Sequence, residues 1–263
     1  GLAALTIPGP VSYALIISYG LDGMPDLPIL ARNAACTACD LHETCRTVCV
    51  PSRPFLETSP APQRPRALLV IGEAPGAYED EQGRCWVGPA GGFLRRLYIS
   101  EVFSLEQKAD VYLSNVVRCR PPGNDTPKKK QIAACLPYLW ADLQQLQSCY
   151  SSVWLLLCGS TAVLPFGFKS LAASFAAQGR EVECPAGKFR AWATYHPAFL
   201  LRSPSAGTAV QAHIRLLADA LDGKESLSLS PVHPMLNPRT CVTTPSELSL
   251  DIETYGLIET QPV

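Results

Sequence analysis

The stretch that decides the fold reads ALLVIGEAPGAYED and covers residues 67–80. Its first five residues are apolar, as expected of a strand buried on both faces. Glycines, a proline and three acidic residues follow directly, and glycine lets the backbone approach a ligand closely. The stretch therefore predicts a buried strand that ends at a pocket, with a plain strand–turn–helix connection as the alternative.

Short apolar runs and longer amphipathic segments alternate after this stretch. The apolar runs cover residues 110–117, 152–159, 181–184 and 189–196, and helical patterns cover about 91–100, 127–147 and 209–223. Buried strands that alternate with helices predict an α/β fold, in which helices cover both faces of a mainly parallel sheet. In such sheets the ligand loops gather at the carboxyl ends of the strands.

Composition restricts the kind of protein that the chain forms. With 263 residues and 47% hydrophobic content, the chain is able to bury a large core. The 22 basic and 23 acidic residues nearly cancel, so any contact with nucleic acid depends on local clusters of charge. The apolar N-terminus is interrupted by Pro8, Gly9 and Pro10, which excludes an unbroken membrane span there.

The chain divides into four predicted parts. We expect an N-terminal arm over 1–32, a main domain over 33–223, a linker rich in proline, serine and threonine over 224–246, and the start of a further domain over 247–263. In the last part, Asp251 and Glu253 fall on one side of a strand-like run. Because that domain is expected to be incomplete here, we expect no activity from it.

Eleven cysteines at uneven spacing indicate a reducing, intracellular compartment. Cys36 and Cys39 form a CxxC motif, and Cys119 and Cys135 lie far from it in sequence. Cys45 and Cys49 are nearby competitors. Such a set suits either a tetrahedral zinc site or an iron–sulfur cluster, and the spacing does not choose between them.

Three polar residues follow predicted strands. Glu73 follows the first strand. Asn115 presents a carbonyl acceptor beside an amide donor, which matches the O4 and N3–H edge of uracil, although an isolated asparagine often caps a turn. His196 is able to donate a hydrogen bond to a developing anion, and a structural role is the alternative.

Five segments in order resemble family 4, the iron–sulfur type of uracil-DNA glycosylase, over about residues 33–222. The segments are GEAPGAYEDEQGRCWVGPAGGFL, SNVVRCRPPGNDTP, AACLPYL, LLLCGSTA and TYHPAFLLR. The resemblance implies a three-layer fold with a central, mainly parallel four-stranded sheet and hydrolysis of the bond between uracil and deoxyribose in DNA. It also implies a [4Fe-4S] cluster on Cys36, Cys39, Cys119 and Cys135.

The resemblance also implies roles around a flipped uracil. Trp86 stacks on the base, Asn115 reads its edge, His196 bonds its O2, and Glu73 activates water. Gly76 and Glu79 complete the uracil site.

Contacts to DNA are implied in the same way. Backbone N–H groups near Pro75, Gly88 and Gly92 bind phosphates, Leu200 enters the vacated base stack, and Arg202 holds a phosphate. Lys128 opens a run of lysines that is expected to follow the DNA backbone, with an ordinary solvent-exposed charge run as the alternative.

Three residues depart from the family pattern, namely Cys85 in place of proline, Trp86 in place of phenylalanine and Ala198 in place of serine. Tryptophan is larger than phenylalanine, which predicts a crowded pocket. The departures motivate an alternative function, a DNA-binding or assembly module without catalysis.

The tail LSLDIETYG resembles the first motif of polymerase-type 3′–5′ exonucleases, in which an Asp-x-Glu pair binds two divalent metals. This resemblance implies a monomeric glycosylase module at the head of a DNA polymerase, with uracil-containing DNA and the rest of the same polypeptide as its partners.

Overall fold

The computed structural model of the protein describes residues 32–56 and 62–224. Apart from residues 32 and 224, the predicted arm, linker and exonuclease-like start lie outside the described residues, and the predicted domain boundaries remain predictions. Among the described residues, no helix has both the length and the apolar character needed to cross a membrane.

The described residues form a six-stranded sheet. Its strands are β1 (Arg53–Pro54), β2 (Arg66–Gly72), β3 (Asp110–Asn115), β4 (Ser152–Cys158), β5 (Arg180–Cys184) and β6 (Gly187–Thr194). Their order across the sheet is β1-β3-β2-β4-β6-β5. The four central strands are parallel, and the edge strands β1 and β5 run antiparallel to their neighbours. The predicted parallel four-stranded centre is confirmed, and two edge strands extend it.

Seven α-helices connect and cover these strands in the described part of the chain. They are α1 (Ala77–Gln82), α2 (Pro89–Phe93), α3 (Lys129–Cys149), α4 (Ser160–Val163), α5 (Leu171–Phe175), α6 (Pro197–Leu200) and α7 (Gly207–Leu221). A π-helical segment, Leu94–Ser100, continues α2. The three helices predicted from periodicity correspond to α2 with its continuation, α3 and α7.

Successive side chains of β2 point to opposite faces of the sheet, and each face has its own hydrophobic core. Leu69 and Ile71 pack with Leu143 of α3 on one face of the sheet. Leu68 and Val70 pack with residues of α7, including Ile214, on the other face. Each of these strand residues is fully buried, so helices cover both faces and the domain has three layers.

The parallel centre brings the carboxyl ends of four strands to one edge of the sheet. The last residue of β2 pairs with the last residue of β3, Gly72 with Asn115. The last residue of β4 pairs with the last residue of β6, Cys158 with Thr194. The segments that follow these residues therefore lie side by side, which is where the sequence predicts the site.

Buried carboxylates hold the irregular segment between residues 44 and 56. The Asp80 carboxylate accepts hydrogen bonds from the backbone N–H groups of Arg46 and Thr47 at 3.1 and 2.8 Å. The Ser52 hydroxyl donates to Asp142 at 2.5 Å. These contacts explain how a segment without hydrophobic periodicity keeps a defined path.

Candidate active site

Asn115 faces the end of β2 across the sheet edge. A Cβ atom added at Gly72 would lie 2.5 Å from Asn115 Oδ1, so only glycine permits this approach. The Asn115 side chain is 7% exposed. In the part of the chain that the structure describes, its carboxamide makes no hydrogen bond. A buried acceptor and donor are therefore available together for a ligand.

Trp86 fills the space beside Gly72. A Cβ atom at Gly72 would come within 2.4 Å of the indole ring. The indole stacks on the imidazole of His196, with ring centroids 5.0 Å apart and an angle of 22° between the planes. Its N–H donates to the carbonyl oxygen of Ser114 at 3.0 Å. The predicted residues Trp86, Asn115 and His196 thus share one pocket, but the indole contacts His196 directly.

The position of His196 depends on the glycine after β4. Gly159 has φ 94°, and a Cβ atom there would lie 3.1 Å from the Cβ of His196. The His196 Nδ1 atom accepts a hydrogen bond from the N–H of Ala198 at 3.2 Å, which assigns the proton to Nε2. Burial, assisted by the positive charge of Arg202, lowers the pKa of His196 to about 4. The ring is therefore neutral near pH 7 and donates through Nε2.

Glu73 lies directly after β2 at the same edge and is half-buried. One carboxylate oxygen accepts a hydrogen bond from the hydroxyl of Thr161, near the start of α4. The backbone carbonyl of Glu73 accepts from the N–H of Val117 at 2.9 Å. Both contacts restrict the position of the carboxylate. Sequence reasoning missed Thr161, although a polar residue just after a central strand was the available signal.

Glu79 binds backbone groups in the loops around Pro75 and Gly88, which were predicted to offer N–H groups to phosphate. Its carboxylate accepts from the N–H groups of Gly76 at 3.1 Å, Val87 at 2.9 Å and Gly88 at 2.7 Å. The prediction that Gly76 and Gly88 offer free N–H groups is therefore corrected, because an internal anion already occupies them. Glu79 is 8% exposed and closes the loop before α2 onto α1.

The structure does not support the predicted role of Leu200 in entering a base stack. Leu200 is 3% exposed and packs in the core shared with α7, whereas Leu201 is 50% exposed. The short helix α6 turns Leu200 inward and leaves the side chain of Leu201 exposed. Tyr78 and Leu164 are also about half exposed, at 54% and 49%, and follow β2 and β4. Exposed apolar side chains thus follow three of the four central strands.

The remaining predicted DNA contacts lie around this edge and on α3. Arg202 is exposed immediately after Leu201, and Lys128 is exposed at the start of α3. Pro75 is buried, while a Cβ atom at Gly92 would meet nothing within 4 Å. The roles of these residues remain predictions.

The cysteines predicted to bind a cluster lie in one corner of the core that α3 covers. Cys119 and Cys135 are buried there, and Cys36, Cys39 and Cys45 pack against the same core. The sulfur of Cys119 accepts from the N–H of Cys49 at 3.3 Å. The sulfur of Cys135 accepts from the N–H of Arg118 at 3.4 Å. Such N–H donors stabilise thiolates. The cysteine sulfurs therefore have the chemistry that an iron–sulfur cluster requires of its ligands.

Among residues 32–56 and 62–224, no three acidic, histidine or cysteine side chains are arranged to hold a metal ion. The assignment of ligands therefore rests on the shared corner of the core and on the N–H donors.

Comparison with known proteins identifies the family. The model of the uracil-DNA glycosylase superfamily matches residues 61–221, which is more than half of the chain. The chain belongs to the uracil-DNA glycosylase superfamily. The matched residues contain the whole sheet edge described above.

The proteins to which the chain is similar include type-4 members of the superfamily. The chain is 33% identical to a type-4 uracil-DNA glycosylase of Pyrobaculum aerophilum over 65% of this chain and 81% of the relative. It is 35% identical to a type-4 enzyme of Saccharolobus solfataricus over 60% of this chain and 72% of the relative. A third relative is a DNA polymerase of Bacillus phage SP01, 24% identical over 60% of this chain and 16% of the polymerase.

Proposed function

We propose that the protein hydrolyses the N-glycosidic bond of uracil in DNA and leaves an abasic site. The observation that carries this proposal is the unpaired carboxamide of Asn115, buried beside a neutral His196 at one sheet edge. The type-4 relatives support the same reaction. A buried amide that satisfies no other group discriminates well, because a base with the wrong edge leaves it unpaired.

The chemistry follows from the three polar residues. Asn115 accepts from uracil N3–H and donates to O4, which orients the base. As the glycosidic bond breaks, negative charge develops on the base, and the Nε2–H of His196 stabilises it at O2. Glu73, held by Thr161, orients the water that attacks C1′ and accepts its proton.

Incision of a uracil-containing oligonucleotide after treatment with alkali tests this function. We expect alkali-labile sites at uracil and none at thymine or cytosine. A protein that binds the oligonucleotide and leaves every uracil in place would favour the second candidate, a module without catalysis. The specific observation behind that candidate is the indole of Trp86, which contacts His196 where a base would be expected.

We also propose that Cys36, Cys39, Cys119 and Cys135 hold a [4Fe-4S] cluster. When bound, the cluster would act as a structural link between the segment around the CxxC motif and the strand end that carries Asn115. Zinc is the alternative metal. The N–H donors to Cys119 and Cys135 support thiolate ligands at these two positions.

Metal analysis tests the cluster. We expect a brown protein with about four iron atoms per chain and broad visible absorption. Replacing Cys119 or Cys135 with serine should remove the iron and lower the melting temperature, because the link to the sheet is lost. Cys158 is fully buried in the opposite core, so Cys158→Ser is a control that should retain iron. Stoichiometric zinc without iron would contradict the assignment.

The position of this domain within a larger polypeptide is a further proposal. The match to part of a phage DNA polymerase and the Asp-x-Glu pair at Asp251 and Glu253 support a glycosylase module fused to a polymerase. Sequencing the coding region around this segment tests the fusion. Uracil-containing DNA and the polymerase portion are then its proposed partners.

Leu201 is proposed to enter the base stack in place of Leu200. Leu201→Ala should slow excision from duplex DNA by about tenfold and leave single-stranded substrate nearly unaffected, because only a duplex must be held open. The variant should keep its melting temperature, since the side chain is half exposed.

Leu200→Ala is the matched comparison and should lose about 2–5 kcal/mol of stability through a cavity in the core. If Leu201→Ala slows both substrates equally, the side chain does not act in opening the duplex.

A further inference from the structure

The indole of Trp86 occupies the space between the groups that would bind a base. It lies against the His196 ring, with ring centroids 5.0 Å apart, and against Gly72, which Asn115 Oδ1 also approaches. Trp86 is also only 4% exposed, so neither of its faces is open to solvent. In this conformation the pocket that contains Asn115 and His196 is already filled from within the chain.

Specific contacts hold the indole in the pocket. Its N–H donates to the carbonyl oxygen of Ser114, one residue before Asn115. Its six-membered ring lies against Gly72, where any side chain would collide with it. On the other side, the backbone of Trp86 packs so closely on Gly91 of α2 that a Cβ atom there would lie 2.1 Å from the Trp86 carbonyl oxygen. The two glycines thus fix the indole and its backbone from opposite sides.

The backbone of Trp86 is strained in this arrangement. Its φ of 59° lies in the left-handed region, which bulky side chains rarely adopt. Such strain persists only where surrounding contacts enforce it, and it often marks residues that change conformation during function. Release of the indole from the pocket would expose the groups that read the base.

We propose that Trp86 is a gate: in the free protein its indole occupies the uracil pocket, and it must leave before a base enters. This inference rests on the proposed function. It assigns to Trp86 a role different from a preformed stacking surface, because the residue competes with the substrate for Asn115 and His196. The apparent affinity for uracil is then the affinity of the open form multiplied by the fraction of molecules with an open pocket, so a mostly closed pocket binds weakly.

Trp86→Phe separates a gate from a stacking surface. Phenylalanine keeps an aromatic face but has no N–H to donate to Ser114 and fills less of the pocket. We expect single-turnover excision from a single-stranded uracil oligonucleotide, at subsaturating protein, to be at least tenfold faster than in the unmodified protein. Trp140 lies on α3 against Phe166, away from the pocket, so Trp140→Phe is the matched control and should leave the rate unchanged.

A second measurement reports the gate itself. The chain has four tryptophans, so labelling with 5-fluorotryptophan gives four fluorine resonances, and Trp86→Phe identifies that of Trp86. Addition of an oligonucleotide with non-cleavable 2′-fluoro-deoxyuridine, or of free uracil, should shift the Trp86 resonance strongly. The resonances of Trp154 and Trp192, which stack on each other in the core, should stay in place.

The outcomes separate the gate from the reaction. If the unmodified protein excises uracil and Trp86→Phe is equally fast or slower, the gate is wrong and the indole is a stacking surface. If uracil shifts the Trp86 resonance and binds Trp86→Phe more tightly than the unmodified protein, but no variant excises it, the gate stands and the proposed hydrolysis fails. If neither ligand shifts the resonance and nothing is excised, both are overturned.

Discussion

Replacing His196 with alanine should slow uracil excision by about 10²–10³ in single turnover, the usual scale for the loss of one donor to a developing anion. Affinity for uracil-containing DNA should change little, because this hydrogen bond strengthens only as the glycosidic bond breaks. Single-turnover rates at saturating protein, together with binding to an oligonucleotide that carries non-cleavable 2′-fluoro-deoxyuridine, separate the two quantities. Because removal of the imidazole also removes the surface on which Trp86 stacks, any change in affinity should be a small increase.

The pH profile provides the control for this role. The pKa of His196 is lowered from 6.5 to about 4 by burial and by Arg202, so the ring stays neutral as the pH falls through 6.5. The excision rate of the unmodified protein should therefore show no step near that pH. A step at an ordinary histidine pKa, absent in His196→Ala, would mean that the ring acts as a proton donor and not as a neutral hydrogen-bond donor. Equal loss of binding and rate would contradict a transition-state role.

Replacing Asp142 with alanine should destabilise the domain by about 3–5 kcal/mol, because it leaves a buried charge without its partner. Asp142 and Arg118 form an ion pair in which both side chains are nearly inaccessible, at 4% and 3% exposed. Burial alone would lower the pKa of Arg118, but the adjacent Asp142 raises it above its usual range, so the guanidinium stays charged. Denaturant unfolding of the protein as purified measures the loss.

A double variant distinguishes the cost of the orphaned charge from a loss of packing. Arg118→Met combined with Asp142→Leu removes both charges, and should recover much of the stability lost in Asp142→Ala. Ser52 and Ser114, which donate to Asp142 at 2.5 and 3.4 Å, lose an acceptor in both variants and so do not bias the comparison. If the double variant is no more stable than Asp142→Ala, packing around the pair is the larger contribution.

Hydrophobic patterning was sufficient to predict the centre of the fold. Continuous apolar runs at β2, β3 and β4 and helical periodicity in α3 and α7 specify both partners of each buried interface. The edge strand β1 has only two residues and no pattern of its own. It exists because the irregular segment is held in place by hydrogen bonds to Asp80 and Asp142, which are remote in sequence.

The polar residues of the site were predictable because each lies at the end of a central strand or just after it. The arrangement of their neighbours was not, because it depends on three-dimensional packing. Leu200 and Leu201 are identical side chains in sequence, and only the turn of α6 decides which one is buried. The indole of Trp86 is placed by a left-handed backbone, which no composition or period indicates in a non-glycine residue.

The six-residue helix α1 holds the side chains of two consecutive acidic residues in fixed, different directions. Glu79 binds the loop at Val87 and Gly88, and the next residue, Asp80, binds the backbone of Arg46 and Thr47. Neighbouring helical positions point about 100° apart, so these two attachments face different parts of the molecule. An insertion of one residue at the start of α1 would turn both carboxylates away from their partners at once. The length of α1 therefore matters more to this part of the fold than the identity of its exposed residues.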